Sequence, residues 1–157
     1  MKKVERELSD RKVAGFNRIL VAIDDSQYAY AVMEAAAKLS SLTHSDVVVL
    51  TVIRMPALVG SEGEINTKSI TEEEKMIQSF HKSLIDKYFS RQQILIESKI
   101  LYGDPADKIC QYAEAIEADL VVIGTRGRGA LRAALLGSVS EKVVRNCKSS
   151  VLVVKKH

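Results

Sequence analysis

The stretch from Gly124 to Ser138 gathers residue types suited to holding a phosphate. It reads Gly124-Thr-Arg-Gly127-Arg-Gly129, then an apolar run, then Gly137-Ser138. Glycines let backbone amides point at an anion with no side chain in the way. A helix opening at Gly137-Ser138 would add N–H donors that lack intrahelical acceptors, together with partial positive charge. Arg126, Arg128 and Arg132 follow with no acid among them, and guanidinium matches phosphate oxygens in shape. Each feature also has a plainer reading. Glycines after a strand serve turns, surface arginines are solvated, and Ser138 with Glu141 completes a capping box that needs no ligand. What points to phosphate is their concentration in one connection. An exposed helix end stabilises an anion by only about 0.3 to 1 kcal/mol, so binding would need several donors acting together.

Two familiar phosphate loops fail on their own requirements. A Walker A motif needs Lys-Ser/Thr after its second glycine, but Gly129 is followed by Ala130 and Leu131. A dinucleotide fingerprint follows the first strand and needs a third glycine, where this chain has Arg132 after its fourth strand. Catalysis has no visible apparatus either. His44, His81 and His157 lie apart without metal-ligand spacing, and no serine sits in a nucleophile elbow. Each histidine reads as solvated: His44 in a turn, His81 on the polar side of its helix, His157 at a frayed end.

The elements that must position this segment alternate. Short β-branched runs exchange with helical periodicity, the pattern of βαβ units around a largely parallel sheet. The strands read as Arg18 to Ile23, Asp46 to Ile53, Gln93 to Leu101, Asp119 to Ile123 and Ser150 to Lys155. A first helix, about Gln27 to Leu42, presents Tyr28, Val32, Ala35, Leu39 and Leu42 on one stripe. A second, about Glu72 to Ser90, does so with Met76, Phe80, Leu84 and Tyr88, after a Thr71/Glu74 capping box. Asp104-Pro105 starts a third, with Ala106, Ile109, Ala113 and Ile116 inward, and Ser138 opens the fourth. Arg54 to Ile70 reads as a flap.

A chain of 157 residues with 46% apolar and 27% charged composition suits one water-soluble domain, read here as residues 17–157 behind a loosely held tail, 1–16. Its apolar runs fall far short of the roughly 18 residues that span a bilayer. The first residues lack the apolar stretch of a secretory signal, so the expected compartment is the cytoplasm. Cys110 and Cys147 make no Cys-x-x-Cys and fall in predicted helices, which reads as reduced thiols without a disulfide. A net charge of +3, scattered along the chain, gives no basis for nucleic acid binding.

Gly124-x-x-Gly127, nine residues, then Gly137-Ser138 resembles the ATP-binding motif of the universal stress proteins. The resemblance extends to Ile19-Leu-Val-Ala-Ile-Asp24-Asp-Ser26, Val49-Leu-Thr-Val52, Gly103-Asp-Pro105 and Val151-Leu-Val-Val154, and covers about Asn17 to Lys155. It implies a Rossmann-like, adenine nucleotide alpha hydrolase-like α/β fold. The sheet would be open, five-stranded and parallel, ordered 3-2-1-4-5, with helices on both faces and a crevice between strands one and four. Carried onto this sequence, it implies that Ala22 lines the base pocket, Asp24 faces the ribose and the backbone of Val52 meets the adenine edge. Gly124, Gly127, Gly137 and Ser138 would wrap ribose and phosphates. Val139 and Ser140 would add amides or a hydroxyl, with Arg126 and Arg128 in support. From the residues alone, Asp24 reads equally well as a helix-start carboxylate and Val52 as core. Asp24 and Asp25 could hold Mg²⁺ arriving with ATP, though Asp25 reads first as solvated. Two features depart from the family: Ser150 stands where proline is common, and the leading tail is long.

The function implied is an ATP-binding regulatory or stress-response module, whose downstream protein the sequence does not name. The alternatives are a slow ATPase and a dimer that works through protein contacts without nucleotide. The apolar strand Val151 to Val154 would end the sheet, and pairing with its own copy predicts a homodimer.

Overall fold

The computed structural model describes residues 15–54, 67–126 and 136–155. Among them the chain runs β1 (Arg18–Ala22), α1 (Tyr28–Thr43), β2 (Asp46–Ile53), α2 (Thr67–Phe89), β3 (Ile96–Tyr102), α3 (Pro105–Ala115), β4 (Leu120–Gly124), α4 (Ser138–Asn146) and β5 (Ser150–Val154). Every strand pair is parallel, as the alternating pattern predicts, and the order is β3-β2-β1-β4-β5, the open sheet that the resemblance implies.

Near-continuous apolar strands are explained by cover on both faces. Because side chains alternate along a strand, Ile19, Val21, Val47, Val49 and Val122 enter one layer, closed by α1 and α2. Leu20, Ala22, Val48, Leu50, Val121 and Ile123 enter the other, closed by α3 and Val143 of α4. The register sets Val21 beside Val49 on one side and Val122 on the other, so β1 is central.

The helices correct several expectations. The inner stripe of α1 is Ala29, Val32, Met33, Ala36, Ala37 and Ser40, while Leu42 is 79% exposed. Small alanines let this helix approach the sheet closely, which rotates the buried face away from the larger residues that suggested it. Helix α2 begins at Thr67, so Thr71 lies inside it rather than at its start. Its buried residues include His81, Leu84 and Phe89, whereas Met76 is 69% exposed. Helix α2 therefore takes in the last residues that were read as a flap, and residues 55–66 lie outside the described residues. Helix α3 starts as anticipated: the Asp104 carboxylate accepts from the amides of Ala106 at 3.1 Å and Asp107 at 3.2 Å, with proline in the first turn. Helix α4 is capped by Gly137, so the Ser138/Glu141 box does not form, and Glu141 pairs with Arg145 at 3.0 Å.

Cys110 and Cys147 are joined in a disulfide with Cα atoms 4.8 Å apart, which overturns the reading of two reduced thiols. Cys110 lies on α3, and Cys147 is the C-cap of α4 rather than a residue inside a helix. A 37-residue separation in sequence says nothing of proximity. It is the passage through β4 and back along α4 that brings the two ends together.

The amino-terminal strand ends are tied by side chains. Asp119 accepts from the amides of Asn17 and Arg18 at 2.7 and 2.9 Å, and Asp46 accepts from the amide of Leu95 at 3.1 Å. A hollow lined by Arg18, Asp46, Glu97 and Ile116 lies at this end, where Arg18 donates to the carbonyl of Ile116. Among the described residues no helix is long and apolar enough to cross a membrane.

Candidate ligand-binding site

At the opposite, carboxyl-terminal end of the sheet, neighbouring strands send the chain to opposite faces. From β1 it passes to α1 in one layer, and from the adjacent β4 to α4 in the other. Connections that diverge in this way open a crevice between the two strands.

On the β1 side, Ala22 and Ile23 are buried and Asp24 is half-buried. The Oδ1 atom of Asp24 accepts from the amide of Ser26 at 3.0 Å, and the hydroxyl oxygen of Ser26 accepts from the amide of Tyr28 at 3.3 Å. Asp24 thus shapes the turn into α1, whose N-cap, Gln27, makes no side-chain capping bond.

On the β4 side, Gly124 lies against α1. A Cβ there would meet the carbonyl oxygen of Arg126 at 3.1 Å and side-chain carbons of Tyr28 and Val32 at 3.4 Å. Alanine would meet the helix at ordinary contact distance but would require the Arg126 carbonyl to give way by a few tenths of an ångström. Beyond it, buried Thr125 donates its amide to the carbonyl of Val154 at 2.9 Å. Its own carbonyl accepts from the amide of Gly137 at 2.6 Å and from the hydroxyl of Ser140 at 3.0 Å. The start of α4 is therefore pinned to the end of β4, whatever path the intervening residues take. Ser140 is 3% exposed and its hydroxyl also lies 2.9 Å from the carbonyl of Gly137. That side chain is turned inward, which leaves only its amide as a donor to a ligand. Ser138 is exposed as the first helical residue, and Val139 is half-buried against the α3/α4 layer. Arg126 is half-buried just past β4, whereas Gly127 and Arg128 lie outside the described residues.

On the β2 side, half-buried Val52 stands beside Leu101 of β3. Next to it the sequence reading missed a polar chain centred on buried Thr51 and His81. Thr51 donates its hydroxyl to the carbonyl of Ile23 at 2.8 Å, Nε2 of His81 lies 2.7 Å from the Thr51 hydroxyl, and Nδ1 lies 2.7 Å from the hydroxyl of Ser98. His81 is 0% exposed, which corrects its expected place on a solvated helix face. Burial pushes its imidazole down from 6.5 to about 4, so the ring is neutral. Two signals could have found it: Thr51 interrupts an otherwise apolar strand, and His81 lies three residues before Leu84 on the buried side of α2. His44, by contrast, sits in a turn as expected, closing α1 in the left-handed region at φ 55°.

Residues 15–155 match the universal stress protein family. This chain belongs to it. Universal stress protein MJ0531 of Methanocaldococcus jannaschii is 30% identical over 141 residues, 90% of this chain and 83% of that one. UspA from Lactobacillus plantarum has the same fold, with a TM-score of 0.73 at 22% identity over 90% of this chain and 99% of that one. A universal stress protein from Archaeoglobus fulgidus in complex with dAMP is 27% identical, with a TM-score of 0.63 over 88% of this chain and 97% of that one. Another, in complex with cAMP, has a TM-score of 0.70 at 21% identity, over 90% and 98%.

In this universal stress protein the described crevice offers a carboxylate, a glycine-lined strand end and a helix start. Among the described residues no three His, Cys, Asp or Glu side chains gather as metal ligands.

Proposed function

We propose that this chain binds ATP, accompanied by Mg²⁺, in the crevice between β1 and β4, and works as a nucleotide-dependent regulatory or stress-response module of the cytoplasm. The observation that carries the reading is the junction at Thr125. One carbonyl holds the start of α4 against β4, beside the strand that ends at Asp24. Helix-start amides and a carboxylate on neighbouring strands match the two ends of a nucleotide, phosphate and ribose. In this reading Asp24 faces the ribose, Ala22 lines the base pocket and the backbone of Val52 meets the adenine edge. Gly124, Gly127, Gly137 and Ser138 surround ribose and phosphates, Val139 and Ser140 add amides, and Arg126 and Arg128 add positive charge. Relatives in complex with dAMP and cAMP have adenine in common, which supports the base assignment. The glycine spacing and the arginines favour a longer phosphate chain, with Asp24 and Asp25 near enough in sequence to share its cation. The same reading gives β5 a partner, a second copy of this chain.

The test is direct. Purified protein, denatured, should release an adenine nucleotide, and protein stripped of it should bind Mg-ATP by calorimetry. Asp24→Ala should weaken that binding by about tenfold or more, as expected for a hydrogen bond to a charged group. A chain that carries no nucleotide and shows no heat with Mg-ATP at millimolar concentration would sink the proposal.

A further inference from the structure

We infer that the hydrogen-bonded chain from Ser98 through buried His81 and Thr51 to the carbonyl of Ile23 is the positioning device for adenine recognition, although none of its side chains touches the ligand. This rests on the nucleotide reading above and concerns how its base end is set.

The backbone ladder between β1 and β2 runs out where the base would sit. The last paired residues are Ala22 and Leu50, and the last ladder bond is the amide of Ile23 to the carbonyl of Leu50 at 3.0 Å. Beyond it β1 turns away at Asp24, while β2 continues alongside β3 through Thr51, Val52 and Ile53. The bond from the Thr51 hydroxyl to the Ile23 carbonyl spans the point at which the two strands part. Its ends are each one residue short of a proposed ligand contact. The Ile23 carbonyl shares a rigid peptide plane with the amide of Asp24, and Thr51 precedes Val52. Fixing that bond therefore fixes the gap between ribose carboxylate and adenine edge.

Donor counting gives the chain a single direction. A threonine hydroxyl has one proton, and here it goes to Ile23, so the Thr51 oxygen must accept from Nε2–H of His81. The other ring nitrogen then has no proton and accepts from the hydroxyl of Ser98. A helix, α2, and the edge strand β3 thus hold one rotamer on β2. Thr51 and His81 are shut away from solvent, so no water competes for the bonds from His81 to Thr51 and from Thr51 to Ile23, and satisfied buried polar groups specify geometry as well as stability.

Thr51→Val keeps the β-branched shape but removes the hydroxyl, and with it both the proton that Ile23 receives and the acceptor for Nε2–H of His81, while Thr51→Ser keeps both. With the full-length protein, Mg-ATP, Mg-GTP and inorganic triphosphate are titrated against wild type and both variants. Thr51→Val should bind ATP about tenfold more weakly, the worth of one hydrogen bond. The preference for ATP over GTP should shrink while triphosphate affinity stays, because the phosphate end is built on β4 and α4. Thr51→Ser should restore the preference. Unchanged ATP affinity and base preference in Thr51→Val would overturn the inference. So would a loss of ATP and triphosphate binding in equal proportion, since that marks a merely structural role. Nitrogen NMR of wild type gives a readout that needs no variant, and an Nδ1–H tautomer at His81 would overturn the inference as well. If wild type binds neither ATP nor triphosphate, the nucleotide reading itself fails and takes this one with it.

Discussion

An imidazole with both nitrogens bonded inside the layer between α2 and the sheet gains nothing from a proton. Burial sets His81 near 4, against 6.5 for an exposed ring. Between those values the unfolded chain takes up a proton that the folded chain refuses, so the contribution is complete above pH 6.5. It drains as pH falls, and the loss ends near pH 4, where both states are protonated. The gap corresponds to about 3 kcal/mol. Urea midpoints measured from neutral pH down to pH 4 should fall along this window in wild type and much less in His81→Gln, which cannot titrate. Equal slopes would show that carboxylates carry the whole acid sensitivity. At this scale the sequence was uneven in what it revealed. Asp24 and Gly124 advertise themselves by residue type at a strand end. Thr51, His81 and Ser98 come from three elements, and only their packing makes them one group. Ser138 and Glu141 had the right spacing for a capping box, yet the helix took Gly137 as its cap instead.

The elements themselves were legible wherever burial on both faces left an unbroken apolar run. That is why β2, Asp46–Ile53, is found with the bounds read from its sequence. Helix faces were less so, because α1 carries apolar residues on adjacent stripes and close approach favours the smaller ones. The disulfide was beyond reach of local pattern. It closes a 37-residue separation that contains β4 and the whole connection to α4. Constraining a loop of that length in the unfolded chain is worth about 3 to 4 kcal/mol on the chain-entropy account. Adding a dithiol reductant should therefore lower the urea midpoint of wild type. Cys110→Ser/Cys147→Ser should start at the lower midpoint and ignore the reductant. A midpoint that reductant leaves unmoved, with the thiols shown free by alkylation, would mean that packing of α3 on α4 already supplies the constraint.

For the whole molecule, the two edges of the sheet are built differently. The outer strand β3 carries exposed Glu97, Ser98 and Lys99, and charge on an edge discourages another strand from pairing there. Strand β5 reads Ser-Val-Leu-Val-Val with no charge, and among the described residues nothing lies beyond it. Val151 and Val153 lean on the α3/α4 layer, while Leu152 lies on the other face, 37% exposed. An apolar strand with an open row of backbone groups is completed by an identical strand across a two-fold axis, since the same patch then serves both copies. Light scattering at micromolar concentration should accordingly give twice the chain mass. Leu152→Lys should give the single chain without changing its melting temperature by more than a few degrees, because the substituted side chain lies outside the core. A wild type that stays monomeric under these conditions would leave the β5 edge without the partner proposed for it, and the protection of that edge would then have to come from elsewhere in the chain.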